Sequence, residues 1–434
     1  MRRTDKKILV AAFFLALALC LSGCSSRETP AQPKAAAGFA PALDTKTVGS
    51  INVVGHYNNF EALEEEFNRF NQYYPEVKLS YTYLDNYSGI LETALSSADA
   101  PDIYFVYPSM SGRENGEGVY ASAENLVDPS LRIGLDCIRE SLLYKGQSGS
   151  VYSVPVYTTT YGMLVNEAIF EKEKLSVPKT YEELLTVCEA LKNAGYESPV
   201  MSFNQNSFLL LPLYYPYFCA QLQASPDALR EVNAMAPAAA DTIRPILEQA
   251  EDFMSRGLIS LESCNQLEND YNAVIMRFFE GDVPMMLATA NTVSGTEKRE
   301  SQSEAFTAHP FRYSFHPVPS TKDGGYFVNT ISMGFAVNKN SKNLAITNEF
   351  MRFLVSSEEL NRMARTKRMV TPCKDMALDE VYASFGSLSG ERIINLSELE
   401  LSSAADWQVR KAVWQVCNGG MTVDEAIAAF GTIE

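Results

Sequence analysis

From residue 51 onward the apolar positions alternate between two spacings, one of strands and one of helices. Residues 51–54 (INVV) read as a short buried strand. Asn58, followed three residues later by Glu61, has the form of a capping box. It opens a helix with Phe60, Leu63, Phe67 and Phe70 on one side. Val77, Leu79, Tyr81 and Tyr83 then alternate with Lys78, Ser80 and Thr82, which predicts a strand. A helix over 87–97 leads to APDIYFVYP (100–108), a continuous apolar run bounded by prolines, as a strand buried on both faces requires. Strands beginning near 51, 77 and 102 lie about 25 residues apart with helices between. That is βαβ spacing, and it predicts a parallel sheet with helices on both faces.

The pattern then changes. VYSVPVYTTTYGMLVN (151–166) holds two apolar stretches around a polar, Tyr-rich centre. In VPKTYEELLTVCEALKNAGY, Thr180 precedes Glu183 as an N-cap, Leu184, Val187, Cys188 and Leu191 form the apolar stripe, and Gly195 stands at the C-cap position. Residues 225–300 are mostly helical in pattern and end in RFFEGDVPMMLAT. Segments 313–318 and 331–338 are strands again, and 341–365 and 404–430 are helices. This order predicts two α/β lobes with the chain crossing between them more than once. No internal repeat is visible.

The N-terminus adds a compartment. Arg2, Arg3, Lys6 and Lys7 precede an apolar run over 8–21, too short for a bilayer core of about 30 Å but of the length of a secretory h-region. Leu21-Ser22-Gly23-Cys24 resembles the lipobox of bacterial lipoproteins. The resemblance implies cleavage after residue 23 and diacylation of Cys24, anchoring the chain on the extracytoplasmic face of the cell membrane by two acyl chains. Residues 24–47 are rich in Ser, Ala and Pro, without periodicity, and read as a flexible linker, the fold beginning near Ser50.

The whole chain carries a net charge of −17. Its leader removes a net +3, leaving −20, which argues against nucleic acid or an anionic membrane face as a partner surface. Cys137, Cys188, Cys219, Cys264, Cys373 and Cys417 are scattered without a CxxC pair. Export permits disulfides among fifteen complete pairings, with buried small apolar side chains as the simpler expectation. His56, His309 and His316 have no metal-ligand spacing, and neither a metal nor a cofactor is expected.

Five stretches carry a family resemblance: YSVPVYTTTYGMLVNEAIF (152–170), VPKTYEELL (177–185), FFEGDVPMML (278–287), SMGFAVNKNSKNLAITNEFMRFL (332–354) and VRKAVWQVCNGGMTVDEAI (409–427). In this order behind a lipobox, the chain resembles the family 1 extracellular solute-binding proteins of ABC importers, the maltodextrin-binding type. The resemblance implies a periplasmic-binding-protein-like class II fold, each lobe a mainly parallel sheet flanked by helices. It places lobe 1 at 48–157 and 313–355 and lobe 2 at 158–312 and 356–434, with hinge strands near 157, 312 and 356. It also implies a monomer that binds a small polar solute, most readily a sugar or oligosaccharide, and delivers it to permease subunits in the membrane.

Ligands of open α/β sheets lie beyond the carboxyl ends of the strands. The candidates are therefore Tyr57 and Asn58 after the first strand, Tyr107 and Ser109 after the third, and Tyr157 and Thr159 at the first crossover. By match to the family's cleft positions, Asn206, Phe208, Asn291 and Trp407 join them. Tyrosine and tryptophan suit a cleft that is apolar on a face and wet at an edge. Asn58 also serves as a helix cap, Phe208 as core, and Trp407 and Trp414 share a helix face that a core would use equally well. By the resemblance, the positions of the family's cleft tryptophans and charged groups hold Val106 or Tyr107, Thr159, Asn206 and Asn291 here, which fits a neutral, hydroxyl-rich or amide-bearing solute and does not support maltodextrin itself.

Catalysis is not expected. No GxSxG occurs, and Ser176-Val177-Pro178-Lys179 falls in a loop before the Thr180 cap rather than in the first turn of a helix. Glu64-Glu65-Glu66 and Glu182-Glu183 are explained as solvated helix faces, not as a glycosidase pair. The other reading is a solute receptor that reports to a sensor without transport.

Overall fold

The computed structural model describes residues 38–113, 115–146, 148–203, 208–267 and 271–433. The signal, the lipobox with Cys24, most of the linker and Asn206 lie outside the described residues.

Residues 41–434 form one compact unit. Its first sheet contains β1 (Gly49–Gly55), β2 (Val77–Tyr83), β3 (Ile103–Val106), β9 (Phe327–Val337) and β10 (Ile393–Asn395) in the order β10-β9-β3-β1-β2, with β4 (Val154–Thr159) also paired to β9. β1 runs parallel to both β2 and β3, as the βαβ spacing predicts. The second sheet has the order β6-β7-β5-β8, built from β5 (Tyr161–Asn166), β6 (Val200–Met201), β7 (Met285–Thr289) and β8 (Tyr313–His316). Both sheets are mixed, and β5 is antiparallel to β7 and β8. The second sheet is less parallel than the family resemblance implies: β5 is antiparallel to both of its neighbours, while β6 and β7 pair in parallel.

The local signals explain most elements. Helix Glu61–Phe70 buries Leu63, Phe67 and Phe70 as the stripe requires. Its start differs from expectation: Phe60 is the N-cap and no side chain caps it, while Asn59 Nδ2 reaches Glu61 Oε1 at 3.0 Å. Thr180 does cap helix Tyr181–Asn193, accepting from Glu183 N at 3.2 Å, and Gly195 ends it at φ +101°. The 341–365 pattern breaks at Val355 into helices Leu344–Leu354 and Ser357–Thr366.

Three boundaries move. Ordered chain begins before Ser50: Ala42 N donates to Glu349 Oε1 at 2.7 Å and Leu43 N to the Tyr74 hydroxyl at 3.2 Å. Tyr313–His316 pairs with β5, so this strand belongs to the second sheet, not to the first lobe. Helix Ser357–Thr366 packs on helix Glu61–Phe70 through Arg69 and Glu359 (2.7 Å), so it belongs to the first lobe and the third crossover follows it.

The crossovers converge. At the first, Thr159 pairs with Thr330 of the first sheet and Tyr161 with Thr289 of the second, leaving Thr160 between them. The second runs from β8 into β9, and the third passes Val370, which bridges to Thr158. Arg139 sits where all three meet. Its Nη2 lies 3.3 Å from Thr158 Oγ1, 3.2 Å from Asn329 Oδ1 and 2.7 Å from Thr371 O. These acceptors are neutral, Nε and Nη1 have no partner among the described residues, and burial draws the guanidinium pKa down to about 10.

Candidate functional site

The parallel pairing of β1 and β3 brings their carboxyl ends together, and with them His56, Tyr57 and Tyr107. Gly55 makes the turn out of β1 possible. A Cβ there would stand 2.3 Å from Phe105 Cε2, so the ring of Phe105 occupies the space a side chain would need. The His56 ring lies 4.2 Å from that of Tyr57 and 5.3 Å, edge-on, from that of Tyr107. The Tyr107 hydroxyl and His56 Nδ1 are hydrogen-bonded. The crowding of the His56 ring holds its pKa below 6.5, so the imidazole is neutral at pH 7, and burial pushes the Tyr107 phenol far up. Tyr57 is fixed from behind: its N–H donates to the Tyr81 hydroxyl, which in turn donates to Tyr57 O, both at 2.9 Å. Asn58 is exposed beside it.

A cation faces this aromatic group. Lys367, just after helix Ser357–Thr366, places Nζ 5.4 Å from the centroid of the Tyr57 ring. Burial lowers its pKa, Glu61 opposes that, and Lys298 and Arg299 add to it. Lys367 thus lies within the fields of groups on both lobes.

Beyond β3 the loop carrying Ser109 and Arg113 lines a cleft of about 1260 Å³. Arg113 donates from Nη2 to the Tyr120 hydroxyl at 2.9 Å and lies 5.3 Å from the centroid of the Tyr144 ring. The opposite wall is 396–403, which leads into helix Ser403–Cys417. Six serines, Ser109, Ser111, Ser141, Ser397, Ser402 and Ser403, share the walls with four carboxylates, Glu117, Glu140, Glu398 and Glu400, and two cations, Arg113 and Lys145. Such a surface offers paired donors and acceptors to a hydroxyl-rich ligand.

The second lobe's candidates are more dispersed. Asn291 follows β7, is exposed, and its Oδ1 accepts from Ser332 Oγ of β9 at 2.8 Å. Phe208 stacks on Phe203 at 4.3 Å and 16° and packs on the second lobe's apolar core, so it is half-buried with one role already filled. Trp407 is 47% exposed. Its neighbours are tightly held: Asp406 and Arg410 form an ion pair at 2.9 Å, and the Arg410 guanidinium lies 4.6 Å from the Tyr215 ring centroid.

Two predicted residues are placed elsewhere. Tyr157 is fully buried, its ring 6.2 Å from Phe60 and its hydroxyl 3.4 Å from Met363 O. It is core, because β4 lies in the sheet beside β9 with helix Ser357–Thr366 packed against it. Thr159 is also buried, with Oγ1 unpartnered among the described residues. Nor is the candidate site without charge: Arg113 lines the cleft and Lys367 faces the Tyr57 ring. Both come from loops without periodicity and gave no signal. His56 had one: it stands at the same strand end as Tyr57.

The chain matches, over residues 55–360, the family described as bacterial extracellular solute-binding protein. An uncharacterized ABC transporter extracellular-binding protein of Pyrococcus horikoshii is 25% identical over 211 residues, 46% of this chain and 47% of that protein. The multiple sugar-binding protein of Streptococcus mutans is 22% identical over 306 residues, 69% of this chain and 68% of that protein. The chain thus spans about half the length of the first relative and about two thirds of the second. Among solved structures, apo RafE from Streptococcus pneumoniae superposes with a TM-score of 0.67 at 17% identity, covering 89% of this chain and 98% of that one. RafE in complex with raffinose gives 0.66 at 18%, covering 88% and 99%. A chitin oligosaccharide binding protein gives 0.65 at 15%, covering 88% and 97%. These proteins share the two-lobed α/β fold, and the family is one of binding proteins of ABC transporters rather than enzymes. By sequence and by fold, the chain belongs to the bacterial extracellular solute-binding proteins.

Proposed function

We propose that this protein is the lipid-anchored receptor of an ABC importer, capturing a mono- or oligosaccharide between its lobes and delivering it to the permease. The observation that carries the reading is the aromatic group at the ends of β1 and β3. Tyr57, Tyr107 and neutral His56, facing Lys367, combine ring faces for stacking with polar edges for hydroxyls. The cleft beyond it adds serine hydroxyls and carboxylates able to accept from sugar hydroxyls. The sugars named for the Streptococcus proteins and the chitin oligosaccharide binder agree with it. Ser109, Asn291 and Trp407 are further contacts in this reading, and Asn58 and Phe208 line its rim.

Closure turns on Thr160, the 317–326 connection and the chain around 367–370, a few backbone positions absorbing the rotation. Lipid at Cys24 keeps the receptor beside its permease and raises the local concentration of each for the other. The test is a thermal-shift screen of the chain without residues 1–24 against mono-, di- and oligosaccharides, polyols, amino acids and polyamines. A ligand at 100 times its Kd adds about 2.7 kcal/mol. A hit within one sugar class, recovered unchanged, is the expected result. A sugar-blind response to amino acids or polyamines overturns the assignment.

A further inference from the structure

Four of the described cysteines, Cys188, Cys219, Cys264 and Cys417, are packed in the second lobe's apolar core. Cys137 and Cys373 are not. They meet where the chain between β3 and β4 crosses the start of the third crossover. Ile138 and Cys373 form an antiparallel bridge. Lys374 N donates to Cys137 O at 2.8 Å and Arg139 N to Pro372 O at 3.1 Å, which holds the backbone on both sides of the pair. Cys137 is thus one step from directly opposite Cys373. The bridge is isolated, outside any strand, so the alternation of side chains between faces need not separate the pair, and a diagonal step of about 6 Å between Cα atoms lies inside the range of about 4.4–6.8 Å that disulfides span. The two side chains are in hydrogen-bonding contact, and those of Thr371 and Ser357 also approach the Cys373 sulfur. Cys373 is fully buried and Cys137 half-buried.

The family is extracellular, where disulfides form and persist. We propose that in the exported protein Cys137 and Cys373 are joined as a disulfide that fastens the third crossover to the first lobe. The oxidant is an external disulfide, from an exported thiol oxidoreductase or a low-molecular-weight disulfide. Cys137, the thiol that reaches solvent, exchanges with it first and releases one thiol. The Cys373 thiolate then attacks the Cys137 sulfur and displaces the second, which takes up the remaining proton. Two thiols lose two electrons and two protons, and the external disulfide gains them as two thiols. The hydrogen bonds converging on Cys373, the Cys137 thiol first among them, hold its pKa down and favour the thiolate for this step.

The test uses the full chain purified from bacterial envelopes without reductant, alkylated in denaturant and digested with trypsin. Residues 133–139 (IGLDCIR) and 369–374 (MVTPCK) should appear as one linked peptide that separates on reduction. Cys137→Ser should leave Cys373 alkylated. Reduction should lower the wild-type Tm by roughly 5 °C and leave that of Cys137→Ser unchanged. Recovery of both peptides alkylated without prior reduction, or either one linked to a different cysteine, would overturn the proposal. None of these readouts depends on solute binding.

Discussion

Lys367 and Tyr57 are separated by 310 positions in the chain, yet the Lys367 ammonium lies 5.4 Å from the centroid of the Tyr57 ring. One comes from the end of the first strand, the other from the return of the chain out of the first lobe. Their meeting joins the end of the first strand to the segment that leads out of the first lobe.

If this group grips the solute, Tyr57→Ala, Tyr107→Ala and Lys367→Ala should each weaken binding of the best ligand by about tenfold, ~1.4 kcal/mol. Titration calorimetry reads the affinity, and circular dichroism checks that each variant is folded. Three folded variants with wild-type affinity would remove the strand-end group from the site.

Tyr157 should behave in the opposite way. Its ring is packed against Phe60 in the first lobe, so Tyr157→Ala should cost about 3–5 kcal/mol. Tyr157→Phe loses only the hydroxyl near Met363 O and should cost about 1 kcal/mol with affinity unchanged. Urea unfolding measures both. An alanine variant as stable as wild type, with affinity lost, would return Tyr157 to the cleft.

Stability should fall as pH rises, because of one carboxyl. Burial first, then contact with Glu359, pushes the Glu66 pKa up from 4.5 to about 9. A proton on Glu66 turns a carboxylate clash into a hydrogen bond to Glu359, which Arg69 already holds at 2.7 Å. The folded chain therefore binds more protons than the unfolded chain between about 4.5 and 9. The contribution is full below that window and is lost as pH climbs through it, at up to ~1.4 kcal/mol per pH unit. Glu66→Gln should flatten the Tm profile and raise Tm at pH 9. A wild-type profile equally flat across the window would show that the pair carries no shared proton.

Affinity should carry a different pH signature. The neutral His56 imidazole is hydrogen-bonded to Tyr107 through Nδ1. Its pKa lies below 6.5, so binding should be constant from pH 7 to 8 and weaken in more acid solution as Nδ1 takes a proton. His56→Asn should bind without that acid limb. The same limb in both proteins would assign it to another group.

Much of this architecture was legible in the residues. The βαβ spacing, the buried 100–108 strand, the Thr180 cap and Gly195 all report local physics, and each is found where the pattern puts it. Local patterns fail where tertiary contacts decide. Nothing around Tyr157 distinguishes a strand end that opens on a cleft from one covered by a distant helix. Asn58 has the spacing of a cap, but Phe60, anchored among Tyr57, Phe105 and Tyr157, fixes where the helix starts. Lys367 reaches the Tyr57 ring only because the chain returns past the first strands.

Arg139 has a mechanical consequence. One guanidinium bonds to a residue of each of the three crossovers, Thr158, Asn329 and Thr371. Three separate hinges could each drift, letting the lobes wobble and twist through many partial angles. Tied at a single knot, they should behave as the bars of one linkage if the lobes close as proposed, with a single axis to swing on and few stopping points between open and shut.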